Sequence, residues 1–267
     1  YIRDGISGDK IEVLPVGCPT DSFIPHSNHE PKIVAVRQQL GISEEEIMIL
    51  TIGGDAASKG SNEVMQALAI IDKDVPSWKY VCKVWPQPRT SLQNQFDQDL
   101  AKKLGISEKV IYATNTISRE FMPYLMGACD IYAAPSRLEG FGMPQVEAGA
   151  CGKPVIGIRA MGMLDTLVHG ETALLARVGK QIVVDSVILG PESGYELNHL
   201  LKFDIPRTVD YRADIRDVAD GLLALMQDSD LRSVMGAAGR KRVEEHFDYI
   251  VVARRFVKII QEYFMLN

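Results

Sequence analysis

The chain reads as an α/β protein built on a parallel β-sheet with helices on both faces. Three observations predict this. Short, almost unbroken apolar runs recur through the first two-thirds of the sequence, as strands buried on both faces require. Segments of helical spacing alternate with them. Several connections between run and helix are short and carry glycine, in keeping with strand–helix units stacked into one sheet.

The elements follow in order. IEVLPVG (11–17) is the first candidate strand, ending at a glycine, and a polar, proline-bounded loop runs on to Pro31. IMILTIGG (47–54) is a buried-strand pattern closed by two glycines. Across 60–73, Val64, Leu68 and Ile71 share one helical face. WKYVCKVWP (78–86) predicts the next strand and 91–104 a polar helix before Gly105. KVIYA (109–113), a helix from about Ser118 to Gly127, and DIYAAPS (130–136) come next. A helix from Pro144 to Cys151 leads into KPVIGI (153–158), and ALLA (173–176) is the last strand of the series. Residues 177–212 then interrupt the pattern, and IVVDSVILGPESGY within them predicts a hairpin around Gly190-Pro191. Three helical segments, near 214–227, 230–246 and 249–264, close the chain. Ile250, Phe256, Val257 and Ile260 give the last an apolar face.

Composition bounds the function. The 267 residues are 46% hydrophobic and 24% charged with a net charge of −6, which argues against a nucleic-acid surface. No apolar run approaches the ~20 residues needed to span a bilayer. Cys18, Cys82, Cys129 and Cys151 have neither metal-ligand nor redox spacing and read as reduced thiols, which points to the cytoplasm. His26 and His29 lie in a polar loop with no further ligand residues, so no metal is expected. Asp97-Gln98-Asp99 reads as a solvated helix face rather than a metal site.

In sheets of this kind ligands bind beyond the carboxyl ends of the strands. One such loop, PSRLEGFGMPQVEAGACGKP (135–154), carries most of the chemistry. Glu139 precedes Gly140-Phe141-Gly142, and a helix opens near Pro144, where proline suits the first helical position. The free N–H groups at that helix start, together with the dipole, favour an anion. Glu147 follows one turn on; an ionised carboxylate accepts two hydrogen bonds and matches the adjacent hydroxyls of a ribose. A second loop, GGDAASKG (53–60), lacks the glycine that a Walker A motif places before its lysine, so a nucleoside triphosphatase is a poor reading.

Two glutamates with seven residues between them, around Gly-Phe-Gly, resemble the motif of the group-one retaining glycosyltransferases, a glycogen-synthase-like family of GT-B architecture. VLPVGCPTDSFIP, TIGGDAASKG, CGKPVIG and HGETALLA extend the resemblance over most of the chain. The resemblance implies the Rossmann-like, donor-binding half of a GT-B enzyme: 1–31 as interdomain entry and first strand, 32–248 as the nucleotide-sugar-binding domain with its insertion at about 177–212, and 249–267 as a crossover helix. It implies a hexosyl transfer with retention and no metal or other cofactor. Glu139 would contact the transferred sugar and Glu147 the ribose. Gly53, Gly54, Gly140, Phe141, Gly142, Met143 and Pro144 would line the donor, with Lys59 on its diphosphate. Backbone groups near Tyr112 and Ala113 would meet the base, lined by Thr114 and Ile117. Relatives carry an arginine where this chain has Gly54; Lys83, Arg89 and Arg137 are the candidates to replace it. The acceptor would sit on an N-terminal domain absent from these residues, so the chain alone is expected to be inactive. An uncovered terminal helix could then support self-association. Two other functions fit the same pattern: a nucleotide-sugar 2-epimerase and a non-catalytic sugar-nucleotide sensor.

Overall fold

The computed structural model describes residues 5–54, 56–85, 91–205 and 208–265. Six strands form one sheet: β1 (Ile47–Ile52), β2 (Trp78–Lys83), β3 (Val110–Ala113), β4 (Ile131–Ala133), β5 (Val155–Ile158) and β6 (Ala173–Ala176). Their order is β3-β2-β1-β4-β5-β6, and every pairing is parallel. This is a doubly wound order, with the direction of winding reversing between β1 and β4. The central strands are apolar because both their faces are covered: Met48, Ile49, Leu50, Ile131 and Tyr132 are all fully buried.

Two groups of helices pack together. One comprises α1 (Pro31–Gln39), α4 (Met122–Ala128), α5 (Met143–Ala150) and α8 (Ser229–His246); the other comprises α2 (Ser61–Ile71), α3 (Ser91–Leu104) and α7 (Ile215–Gln227). A single turn, α6 (Met163–Thr166), lies beyond β5, and α9 (Tyr249–Met265) follows α8. No helix among the described residues is long and apolar enough to cross a membrane. α7 starts at an aspartate cap: the Asp214 carboxylate accepts from the backbone N–H groups of Arg216 and Asp217 at 2.9 and 3.1 Å.

The structure departs from the sequence expectations at identifiable places. Residues 11–17 join no sheet, and Val13 and Val16 are exposed. Their pairing begins only at Cys18, whose N–H donates to Phe247 O at 2.7 Å and whose carbonyl accepts from Tyr249 N at 3.0 Å. The entry segment is thus stitched to the α8–α9 junction. α1 escapes the sequence pattern because Arg37, on its inner face, is buried. The guanidinium donates to the carbonyls of Ala128 and Ser43 at 3.0 and 2.8 Å and to Asp130 at 3.2 Å. The helix expected from Ser118 starts at Met122, with Pro123 in its first turn.

The insertion is an antiparallel arm. β7 (Val178–Val184) pairs with β10 (Thr208–Ala213), and β8 (Ser186–Leu189) pairs with β9 (His199–Lys202) around a turn that contains Gly190-Pro191. The root of the arm is tied to the sheet's ligand edge: Tyr211 N–H donates to Arg137 O at 2.8 Å. On α9, Ile250, Phe256, Val257 and Phe264 are exposed.

Candidate active site

The carboxyl ends of β1 and β4, on either side of the winding reversal, bring the two motif loops together. Arg137 N–H donates to Ser58 O at 2.9 Å, locking loop 135–142 to loop 53–60. Gly60, at φ +83°, makes this approach feasible: a Cβ there would lie 2.4 Å from Pro135 O. The consequence is an ion pair. Lys59 Nζ donates to Glu139 Oε2 at 2.6 Å, with both side chains largely buried. The other carboxylate oxygen, Glu139 Oε1, accepts from Gly142 N–H at 3.2 Å. Lys59 and Glu139, expected on different parts of a donor, therefore form one clasp.

Gly142 is the N-cap of α5 at φ +92°, a left-handed conformation that a Cβ would strain. The first intrahelical bond runs from Val146 N to Gly142 O at 3.0 Å, so the N–H groups of Met143 and Gln145 precede the ladder, and Pro144 has none. Gln145, fully buried, pins this turn to β4: its Nε2 donates to Ala134 O at 3.2 Å and Ser136 Oγ at 3.3 Å. Below the loop, Gly162 N–H donates to Glu139 O at 3.3 Å, and Thr166 Oγ1 donates to Phe141 O at 3.3 Å. The Phe141 ring packs edge-on against Phe247, 5.7 Å between centroids, so its side chain anchors the loop.

Glu147 stands one turn along α5. It is partly buried, and its carboxylate has no hydrogen-bond partner among the described residues. Burial pushes its pKa up to about 7, against the opposing pull of the Arg119 charge. Arg119, from the connection between β3 and α4, is the charged neighbour that spacing could not reveal. The contacts of the Gln145 side chain with Ala134 and Ser136, and of Gly162 with Glu139, were equally beyond spacing, since each joins separate segments of the chain.

Three expectations need correction. Arg137, expected to be available as a replacement cation, is engaged elsewhere: it makes two 3.1 Å contacts to the carboxylate of buried Glu63, which also lies 3.6 Å from Arg212. Lys83 is buried, its Nζ donates to Val84 O at 2.8 Å, and burial lowers its pKa. Arg89 lies outside the described residues. Asp97 is not solvated but fully buried, accepting from Ser61 Oγ at 3.2 Å. At the expected base site, Tyr112 and Ala113 occupy the end of β3. The Tyr112 hydroxyl points to Met65 Sδ at 3.9 Å, and the Ala113 carbonyl accepts from Val84 N–H at 3.1 Å. Gly53 and Gly54 end β1. The position expected to carry an arginine is tight: a Cβ on Gly54 would stand 3.1–3.2 Å from ring atoms of Trp85, which would have to shift.

This arrangement can hold a phosphate between the α5 N-terminus and Lys59 and hydroxyls at two carboxylates. Known proteins are similar to this chain in sequence and in fold. N-acetyl-alpha-D-glucosaminyl L-malate synthase of Bacillus anthracis is 27% identical over 228 residues, covering 85% of this chain, which spans 47% of that relative's length. Anabaena Alr3699/HepE, solved in complex with UDP, superposes with a TM-score of 0.76 at 18% identity, over 98% of this chain and 60% of that one. The C-terminal domain of the glycosyl transferase group 1 family protein LpcC from Francisella tularensis, solved as a separate domain, matches at TM-score 0.64 and 21% identity. The match covers 87% of this chain and the whole of that domain. At such identities the two structures speak for the fold. The family model described as "Glycosyl transferases group 1" matches residues 33–187, more than half of the sequence, and the chain therefore belongs to the group 1 glycosyl transferases.

Proposed function

We propose that this chain is the donor-binding half of a retaining glycosyltransferase that moves a sugar from a nucleoside-diphosphate sugar to an acceptor. The observation that carries the proposal is Glu147. A partly buried carboxylate held without a hydrogen-bond partner, one turn inside an anion-binding helix start, is poised for the paired hydroxyls of a ribose. The diphosphate then falls over Met143 and Gln145 N–H and beside Lys59, and the sugar beside Glu139. As the glycosidic bond breaks, charge grows on the leaving phosphate, and these fixed donors stabilise it without reorganising.

That Anabaena Alr3699/HepE, of the same fold, was solved in complex with UDP supports a nucleotide ligand. Because the chain spans 47% of its B. anthracis relative, acceptor binding is assigned to a further domain, and the chain alone should bind donor without turnover. No metal or cofactor enters the proposal. Its setting is the cytoplasm, where buried, reduced thiols are ordinary.

Calorimetry of this chain against UDP-, GDP- and ADP-sugars tests the proposal. Binding of one donor with the matching nucleoside diphosphate as competitor is the expected result. Heat-silent titrations with all three, confirmed by equilibrium dialysis, would refute it.

A further inference from the structure

Arg137 is the residue at which three segments of the chain are tied together. Its N–H donates to Ser58 O at 2.9 Å, and its carbonyl accepts from Tyr211 N–H at 2.8 Å. Its guanidinium crosses to α2, with two 3.1 Å contacts to the Glu63 carboxylate. Ser58 precedes Lys59, and Glu139 lies just beyond Arg137, so the backbone tie sits beside the 2.6 Å clasp. α2 begins at Ser61, so Glu63 belongs to the same stretch of chain as Lys59. The side-chain tie and the backbone tie therefore span the same gap between the two motif loops. The root of the insertion arm closes the junction from a third side. Besides the Tyr211 N–H, it brings Arg212 to 3.6 Å from Glu63, and Asp210 holds that guanidinium at 2.7 Å.

For stability alone this junction is a poor choice. The side chains of Arg137 and Glu63 are 14% and 7% exposed, and Arg137 Nε, Arg212 Nε and Asp210 Oδ1 are buried with no hydrogen-bond partner among the described residues. Apolar side chains of similar volume generally stabilise such a contact as well or better. A guanidinium gripping a carboxylate with fixed distance and plane supplies position instead. We propose that Arg137 is a positioning residue of the donor site, held by Glu63 and by the root of the insertion arm, and that it sets the placement of Glu139 against the transferred sugar. The inference rests on the donor-binding reading above. It makes the arm's root, Asp210 to Arg212, a working part of the donor site. The start of α5 is pinned separately, by Gln145 to Ala134 and Ser136, so the phosphate and ribose contacts do not depend on Arg137.

The panel of UDP-, GDP- and ADP-sugars, each with its sugar-free diphosphate, is titrated by calorimetry into the chain and three variants. Arg137→Met should weaken the nucleotide sugar about tenfold, as for one hydrogen bond to a charged group, and leave the sugar-free diphosphate as tight or tighter. Arg212→Met, in the arm, should shift the same ligand in the same direction by a smaller factor. The third variant adds Glu63→Leu to Arg137→Met and so separates position from stability. Exchanging both partners for apolar groups strands neither charge, so urea stability should recover while nucleotide-sugar affinity stays low. If the double variant regains that affinity along with its stability, Arg137 is a packing residue only and the inference is overturned. Equal losses for both ligands in Arg137→Met, or no loss of the nucleotide sugar, overturn it too. In all these cases the donor-binding reading stands. If no nucleotide sugar binds the unaltered chain, both fall.

Discussion

Replacing Glu147 by glutamine should make the protein more stable and less able to bind its ligand. The carboxyl has a folded pKa of about 7 against an ordinary 4.5, and burial is the main cause. Below pH 4.5 it is protonated in both states and costs nothing. Between 4.5 and 7 the unfolded chain ionises while the folded one keeps its proton, so stability falls by up to about 1.4 kcal/mol per pH unit. Above pH 7 the loss is complete, roughly 2–3 kcal/mol once partial exposure is allowed for. Glutamine keeps the shape and carries no charge. Glu147→Gln should therefore match the parent near pH 4 and exceed it at pH 8 by that amount, a rise of roughly 5–10 °C in Tm for a domain of this size. Urea unfolding followed by circular dichroism at pH 4, 6 and 8 reads the gap directly. Nucleoside-diphosphate affinity should move the other way, falling about ten- to a hundredfold, since the amide loses a charged acceptor. In the parent, affinity should also rise from pH 6 to 8 as the carboxyl ionises, and this dependence should vanish in the variant. A stability gap that ignores pH, or a glutamine variant less stable at pH 8, would refute the burial argument.

Other perturbations address the remaining elements of the site. Lys59→Ala should cut nucleoside-diphosphate affinity by about one to two decades and leave nucleoside affinity alone, as calorimetry would show. Glu139→Gln releases Lys59 from its 2.6 Å ion pair, so affinity for the sugar-free diphosphate should hold or rise several-fold while the added affinity due to the sugar disappears; equal losses for both ligands would disprove this division of roles. Gly162→Ala sets a Cβ 2.1 Å from Gly140 O and should both lower urea stability by roughly 2 kcal/mol or more and abolish donor binding, because the turn supports the Glu139 loop. Arg137→Met leaves Glu63, whose side chain is 7% exposed, with Arg212 at 3.6 Å as its remaining cation, and should cost roughly 1–3 kcal/mol in stability. The exposed face of α9 predicts concentration-dependent self-association; sedimentation should show it weaken on Phe256→Ser, and a monomer at all micromolar concentrations would rule it out.

The sheet was legible because its strands are buried on both faces, which compels continuous apolar runs such as IMILTI and VIGI. The two loops around Lys59 and Glu139 were legible because glycines, a proline and charges mark the ends of strands. What stayed hidden depends on side chains meeting across the fold. Arg37 points inward and breaks the apolar face of α1, so no periodicity announces the helix. Asp97 looks solvated in a polar helix until Ser61 is brought beside it. Arg137 sits in the motif loop yet turns away to Glu63, and Arg119 comes to Glu147 from another connection. The absence of a side chain at Gly54 could be noticed as a missing arginine, but the ring beside it comes from the segment that follows β2.

The four cysteines have a practical consequence. All are buried and free, and burial pushes each thiol upward: Cys18 and Cys129 to about 12, Cys82 and Cys151 higher still. At neutral pH the native molecule presents essentially no thiolate, so alkylating reagents must wait for the structure to open. The protein thus carries its own clocks. Cys18 lies where the entry segment crosses the α8–α9 junction, whereas Cys82 and Cys129 lie in the sheet core or beside it. A labelling time course resolved by residue would separate peeling of that crossing from global unfolding, with no probe added to the chain.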